Sequence, residues 1–243
     1  MIWRQKMRIH YLQHVPFENP GRILNWAEKN NCAVTATHLY KNEALPDSAA
    51  FDWLVVMGGP MNIYEEDRYP WLSAEKQLIK QAIEQGKLVL GICLGSQLIA
   101  DVIGAKVVRN KQPEIGWFPI TLSEKARLSP AFSFFPENPV VFHWHGDVVD
   151  DLPAAAVVIA ESEACRNQGF VYKDRVFGLQ FHLENTRPII EALIENCGDE
   201  LTEGDFIQPA EVIRAQQEYM LQDNLLMDQF LDQLKKMAED ANS

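Results

Sequence analysis

Apolar positions in the first part of the chain follow two alternating patterns. Residues 8–12, 33–39, 53–57 and 88–92 are short runs rich in strand formers, the last a continuous Leu-Val-Leu-Gly-Ile stretch of the kind buried on both faces. Between them, residues 20–30 carry Ile23, Leu24 and Ala27 at helical spacing, and residues 73–85 carry Leu78, Ile79, Ala82 and Ile83. A third helix is predicted through Gln97, Leu98, Ala100 and Ile103, stopped at Gly104. Strands alternating with helices predict a parallel sheet with right-handed crossovers, whose ligands bind beyond the carboxyl ends of the strands.

Past Gly104 the pattern changes. Residues 105–108, 118–122, 140–144, 156–161, 169–172 and 176–182 read as short strands with little helix between, and Lys173-Asp174 as a hairpin turn. These predict antiparallel additions that complete the sheet. Residues 188–196 read as a helix with Thr186 as N-cap and Pro188 in its first turn. Residues 211–240 predict a helix-turn-helix tail broken at Asp223-Asn224. Its core stripe would be Val212, Met220, Leu221, Leu225, Met227, Leu231, Leu234 and Met237.

Composition narrows the picture. At 243 residues and 47% hydrophobic, the chain is one large domain or a domain plus an appendage. A net charge of −12 argues against nucleic acid or an anionic membrane as partner. No apolar run approaches bilayer length, and residues 1–6 have no signal-peptide apolar stretch, so a cytoplasmic location is expected. Cys32, Cys93, Cys165 and Cys197 are scattered, which reads as reduced thiols rather than a disulfide framework.

The chemistry concentrates at two places. Gly91-Ile92-Cys93-Leu94-Gly95 sets a cysteine on a strand-to-helix turn with a glycine two residues to either side, the layout of a nucleophile elbow. A side chain at 91 or 95 would crowd that turn, and the helix N-terminus beyond it favours a thiolate. Alone, the stretch leaves a buried structural cysteine equally open. The second place is His182-Leu183-Glu184. If the strand continues, alternation puts imidazole and carboxylate on one side, where the acid fixes the tautomer of the base. Alone it also fits a polar strand end facing water. Together with Gly58-Gly59 after an earlier strand, the order is oxyanion loop, nucleophile, base. His143 and His145 are two apart and could pair on a metal, but the Gly146-Asp147 that follows favours a substrate loop.

Gly58-Gly59-Pro60, the segment 91–97 and the segment 178–184 resemble the class I (triad) glutamine amidotransferase domain, nearest in pattern to the glutaminase domain of GMP synthetase and its stand-alone relatives. Glu114-Ile115-Gly116-Trp117, His145-Gly146-Asp147 and residues 194–201 resemble the stand-alone subgroup. The resemblance implies a flavodoxin-like three-layer α/β sandwich over residues 7–200, with 201–243 as a C-terminal helical extension. It implies Cys93 as nucleophile, His182 as base and Glu184 as orienting acid. The backbone N–H groups of Gly59 and Leu94 would hold the oxyanion. Gly58, Gln97, His145, Gly146 and Asp147 would hold the glutamyl end.

Two positions depart from that pattern: Ser96 stands where members often have His, and Leu183 where they have Pro. No phosphate loop and no second domain are visible, and neither a metal nor a cofactor is expected. The implied function is hydrolysis of the glutamine γ-amide through a cysteine thioester, with ammonia passed to a separate synthetase. The alternatives are a stand-alone hydrolase or transferase of γ-glutamyl peptides or amides, and a catalytically quiet regulatory or binding protein.

Overall fold

The computed structural model describes residues 6–240; residues 1–5, on which part of the leader reading fell, and residues 241–243 lie outside them. The alternating first part folds as its pattern predicts: β1 (Arg8–Gln13), α1 (Arg22–Lys29), β2 (Ala33–His38), β3 (Trp53–Val56), α2 (Trp71–Glu84), β4 (Leu88–Ile92) and α3 (Leu94–Val102). The chain continues through β5 (Lys106–Pro119), β6 (Thr121–Leu122), α4 (Glu124–Leu128), β7 (Val140–Asp151), β8 (Ala156–Glu161), β9 (Gly169–Tyr172), β10 (Val176–Leu179), α5 (Arg187–Cys197), α6 (Ala210–Ala215) and α7 (Gln217–Asp240).

An eight-stranded sheet runs in the order β2-β1-β3-β4-β10-β9-β8-β6. Its first five strands are parallel and the rest pair antiparallel. One face packs Ile23 and Trp26 of α1 with Phe230, Leu231 and Leu234 of α7; the other packs Leu78 and Ile79 of α2 with Leu98 and Ile99 of α3. The result is a mostly parallel three-layer α/β sandwich with a C-terminal helix. No described helix is long and apolar enough to cross a membrane.

Several elements differ from expectation for identifiable reasons. The expected strands 105–108 and 118–122 belong mainly to one long strand, β5, which pairs with an equally extended β7 in a separate ribbon. Arg109 to Pro113 is too polar to read as a strand, and the register shift between Arg109 and Glu114 marks the bulge that accommodates it. Lys173 and Asp174 both take left-handed φ, 51° and 56°, and make the predicted hairpin turn. Thr186 sits at the N-cap of α5, but its side chain makes no capping bond.

The tail is the largest correction. It breaks at Gln216, between α6 and α7, and Asp223-Asn224 lies inside a continuous helix. The unbroken register faces Met220, Met227, Phe230, Leu231 and Leu234 inward and leaves Leu221 and Leu225 exposed. Asp223 and Asn224 share the inward face because they bind backbone. Asp223 accepts from Phe142 N at 3.1 Å, and Asn224 donates to Leu183 O and Asn185 O at 3.2 and 2.8 Å. Asn224→Ala leaves those two carbonyls short of a donor, and a loss of about 1–3 kcal/mol in unfolding free energy by urea titration is expected.

Candidate active site

The turn from β4 into α3 is a tight elbow. Cys93 has φ 50° and ψ −109°, a conformation that L-residues hold only when their surroundings enforce it. The enforcement is visible on both sides. Cys93 N donates to Leu179 O of β10 at 2.8 Å, and Ser96 N and Gln97 N donate back to Cys93 O. A Cβ at Gly91 would collide with the Gly95 carbonyl, and one at Gly95 with the Val56 carbonyl at the end of β3. The glycines flanking the thiol are therefore required by close backbone approach, as their spacing implied.

His182 and Glu184 come together by a route other than the one expected. β10 ends at Leu179, so strand alternation does not aim them. A backbone bond from His182 N to Phe142 O of β7 (2.8 Å) holds the segment, with the two Asn224 bonds beyond it. Glu184 Oε1 meets His182 Nδ1 at 2.7 Å, and Glu184 Oε2 accepts from Leu183 N at 3.1 Å. Burial works against a charged imidazole here, but the Glu184 carboxylate and the Cys93 sulfur outweigh it and raise the His182 pKa well above its ordinary value. In the resting geometry the thiol faces Trp144 O at 3.5 Å, and His182 Nε2 is left without a hydrogen-bond partner.

A cavity of about 240 Å³ opens at Cys93. Gly59, Leu94, Gln97, His145, Gly146 and Asp147 all line it, so most of the residues singled out in the sequence share one space. Gln97 Nε2 donates to Asp147 O (3.1 Å) and Gln180 Oε1 (3.0 Å), and Arg109 lies 3.6 Å from the Asp147 carboxylate. Gly58 is placed differently. Its carbonyl accepts from His14 Nδ1 at 2.9 Å, while His14 Nε2 meets buried Glu75 at 2.9 Å. His14, read from sequence as structural or surface, is thus a buried brace under the glycine loop.

His145 also belongs to a second cluster. Its Nε2 is 3.3 Å from Glu114 Oε2, and His143 Nδ1 is 3.8 Å from the same oxygen. The ligand-type atoms of the three lie within 4.8 Å of one another, which makes them the group among the described residues with metal-binding spacing. Glu114 Oε2 already accepts from Ser162 Oγ (3.0 Å) and Gln168 Nε2 (2.6 Å). Burial opposes the Glu114 charge, but the two imidazoles and the Ser162 hydroxyl hold its pKa below the usual carboxylate value; burial lowers that of His143 to about 4.

The residue that sequence reasoning missed is Glu18, in the loop after β1, together with Trp144, Cys197 and Glu200 on the cavity wall. The signal was available for Glu18: it follows the carboxyl end of a parallel strand, where such folds bind ligands. Burial, reinforced by Glu184 and Glu200 and opposed by His182 and His14, raises its pKa from 4.5 to about 7. The folded state then binds this proton more tightly than the unfolded chain, so the group costs stability increasingly as pH rises from 4.5 to about 7 and by a constant amount above. Glu18→Gln removes that slope. Thermal or urea unfolding of the two proteins is expected to converge near pH 4 and to favour the variant by about 3 kcal/mol at pH 8.

Comparison with known proteins agrees with this geometry. The family "Glutamine amidotransferase class-I" matches residues 21–198. The chain is 39% identical over 235 residues to the putative glutamine amidotransferase-like protein YfeJ of Salmonella typhimurium, covering 94% of this chain and 97% of that one. It is 36% identical over 132 residues to the glutamine-hydrolysing GMP synthase of Listeria innocua, covering 54% of this chain but only 24% of that longer protein. The crystal structure of a glutamine amidotransferase from Thermotoga maritima superposes with a TM-score of 0.85 at 34% identity, covering 95% and 99% of the two chains. The chain belongs to the class-I glutamine amidotransferase family.

Proposed function

We propose that the protein hydrolyses the γ-amide of glutamine through a thioester on Cys93 and releases ammonia to a separate synthetase. The observation that carries this reading is the His182–Glu184 pair at 2.7 Å beside a cysteine held at positive φ at the mouth of a cavity. The thiolate attacks the γ-carbonyl of the bound side chain, and the backbone N–H groups of Gly59 and Leu94 receive the oxyanion. His182, kept protonated above its ordinary range by Glu184, gives its proton to the departing ammonia. It then takes a proton from the water that cleaves the thioester, yielding glutamate and the free thiol. Gln97 and the His145-Gly146-Asp147 loop hold the glutamyl end, with Asp147 suited to its α-ammonium group. The family membership and the GMP synthase relatives support the choice of glutamine and of a synthetase partner.

A second reading is a stand-alone hydrolase of γ-glutamyl amides or peptides. The observation favouring it is that the cavity extends past Cys93 to Glu18, Leu193, Cys197 and Glu200, which a bare amide does not occupy. The same thioester serves both readings, and only the leaving group differs.

Ammonia release from glutamine, measured with and without a co-purified partner, separates them from each other; a panel of γ-glutamyl peptides assayed alongside ranks the substrates. Cys93→Ala is expected to abolish turnover of every substrate while the circular dichroism spectrum is unchanged, and retained activity would refute the nucleophile. Glu184→Gln leaves the imidazole without its ionised partner, and a fall in kcat of up to about 10⁴-fold is expected. Failure of Cys93 to be alkylated by a diazo-ketone analogue of glutamine would point instead to a quiet binding protein.

A further inference from the structure

The residues lining the cavity fall into two groups by what they touch. Gln97, Asp147 and Arg109 are joined by direct contacts and suit the zwitterionic end of a glutamyl group. Glu18, Leu193, Cys197 and Glu200 form the other wall, built from the loop after β1, from α5 and from the turn that follows it. The chemistry of thioester formation leaves this second wall without a task.

Glu18 is the anomaly in that wall. It is 8% exposed, and among the described residues no hydrogen-bond donor meets its carboxylate, on which burial and charges at a distance act. The point that a Cβ at Gly58 would occupy is touched by Glu18 Oε2, and lies 3.5 Å from His182 Cε1 and 3.6 Å from Cys93 Cβ. A carboxyl group therefore shares the space at Gly58 with Cys93 and the imidazole. Burying such a group without a partner is costly unless something arrives to pair with it. Among the described residues the cationic groups that act on it, His182 and His14, are each already paired with another acid, Glu184 and Glu75. The guanidinium that reaches the cavity, Arg109, is 3.6 Å from Asp147, while Glu200 at the rim is hydrogen-bonded to Trp144 Nε1 at 3.3 Å. The same wall carries the buried side chains of Leu193 and Cys197, an apolar surface of the kind that accepts methylene groups, and both acids act on Cys197.

Two carboxylates on a wall that also carries apolar surface fit one chemical class. A free carboxylate on the leaving group, as in a γ-glutamyl peptide, would be repelled. Bare ammonia would leave the apolar wall unfilled. An alkylamine carrying a second ammonium group satisfies both acids and covers the wall. We propose that Glu18 and Glu200 form a leaving-group subsite for a cationic aliphatic amine, so that the preferred substrate is the γ-glutamyl amide of a diamine or polyamine.

This rests on the second reading above, a hydrolase of γ-glutamyl amides with Cys93 as the acyl-accepting nucleophile. The thiolate attacks the γ-carbonyl, the C–N bond breaks, and the amine nitrogen leaves with the proton of His182. Water then cleaves the thioester to glutamate and restores the thiol. Glu18 touches no bond that changes; it is a specificity residue, and in its ionised form it pairs with the charge carried by the departing chain.

The test uses mono-γ-glutamyl amides of diaminobutane, butylamine and aminobutyrate, which share chain length but end in a cation, a methyl group and an anion. At pH 8, kcat/KM for glutamate release is expected to fall in that order, with the cation ahead of the methyl compound by about 10-fold or more, the scale of one charge-assisted contact. Glu18→Gln is expected to shrink the cation-to-methyl ratio by about 10-fold, and Glu200→Gln by less because its carboxylate is more exposed. Equal or reversed preference in the native protein, or an unchanged ratio in Glu18→Gln, would overturn the proposal. The native panel decides the matter if that variant does not fold. Labelling of Cys93 by the diazo-ketone analogue, measured in the same preparation, keeps the two levels apart. Labelled protein that turns over glutamine without favouring the cationic amide sinks this subsite alone; unlabelled, inactive protein sinks the thioester reading and the subsite with it.

Discussion

The backbone of α3 lies so close to the end of β3 that Gly95 faces the Val56 carbonyl with no room for a methyl group. The rest of the site depends on that approach. It brings the first turn of the helix over the sheet edge and forces Cys93 into positive φ, so that the thiol stands at the junction of three parallel strands. Leu94 and Gln97 then fall beside the cavity, and Gly59 at the end of β3 reaches the same space from the neighbouring strand. Residues far apart in the chain become neighbours because β3, β4 and β10 are adjacent in the sheet and all end on one side.

Charge is concentrated under this edge. His14 with Glu75, His182 with Glu184, Glu18, and Asp223 are all buried, and they lie on the loop after β1, on α2, on the segment after β10 and on α7. Each charged form is opposed by burial, and the pairs survive because hydrogen bonds and opposite charge offset it. His14 is held above its ordinary pKa by Glu75 and the Gly58 carbonyl, against burial. Asp223, held by one backbone N–H, is pushed well above the usual carboxylate range by burial. Burial thus pushes Glu18 and Asp223 toward their neutral form, while the imidazole that the chemistry needs is kept charged.

The C-terminal helix is part of this arrangement. Arg22 pairs with Asp228 at 2.5 Å and Trp26 Nε1 donates to Asp232 at 2.8 Å, fixing α7 against α1. From that seat Asp223 and Asn224 reach the backbone at Phe142, Leu183 and Asn185, on either side of His182. A helix that reads as packing therefore also positions the imidazole segment.

Local patterns in the sequence determined a good deal by themselves: the alternation of strands and helices up to Gly104, the glycine spacing around Cys93, and the turn at Lys173-Asp174. Each is encoded within a few residues, by periodicity or by the steric demand of a turn. Tertiary structure alone decided the joining of residues 106–119 into one bulged strand, because long-range pairing with β7 overrides the polarity of residues 109–113. It alone decided the continuity of α7 through Asp223-Asn224, because polar side chains at a buried helix face are tolerated only where distant backbone groups are present to bind them. And it alone brought Glu18 to the site: a glutamate in a loop is ordinary in sequence, and only the folding of that loop over Gly58 turns it into a buried carboxyl group.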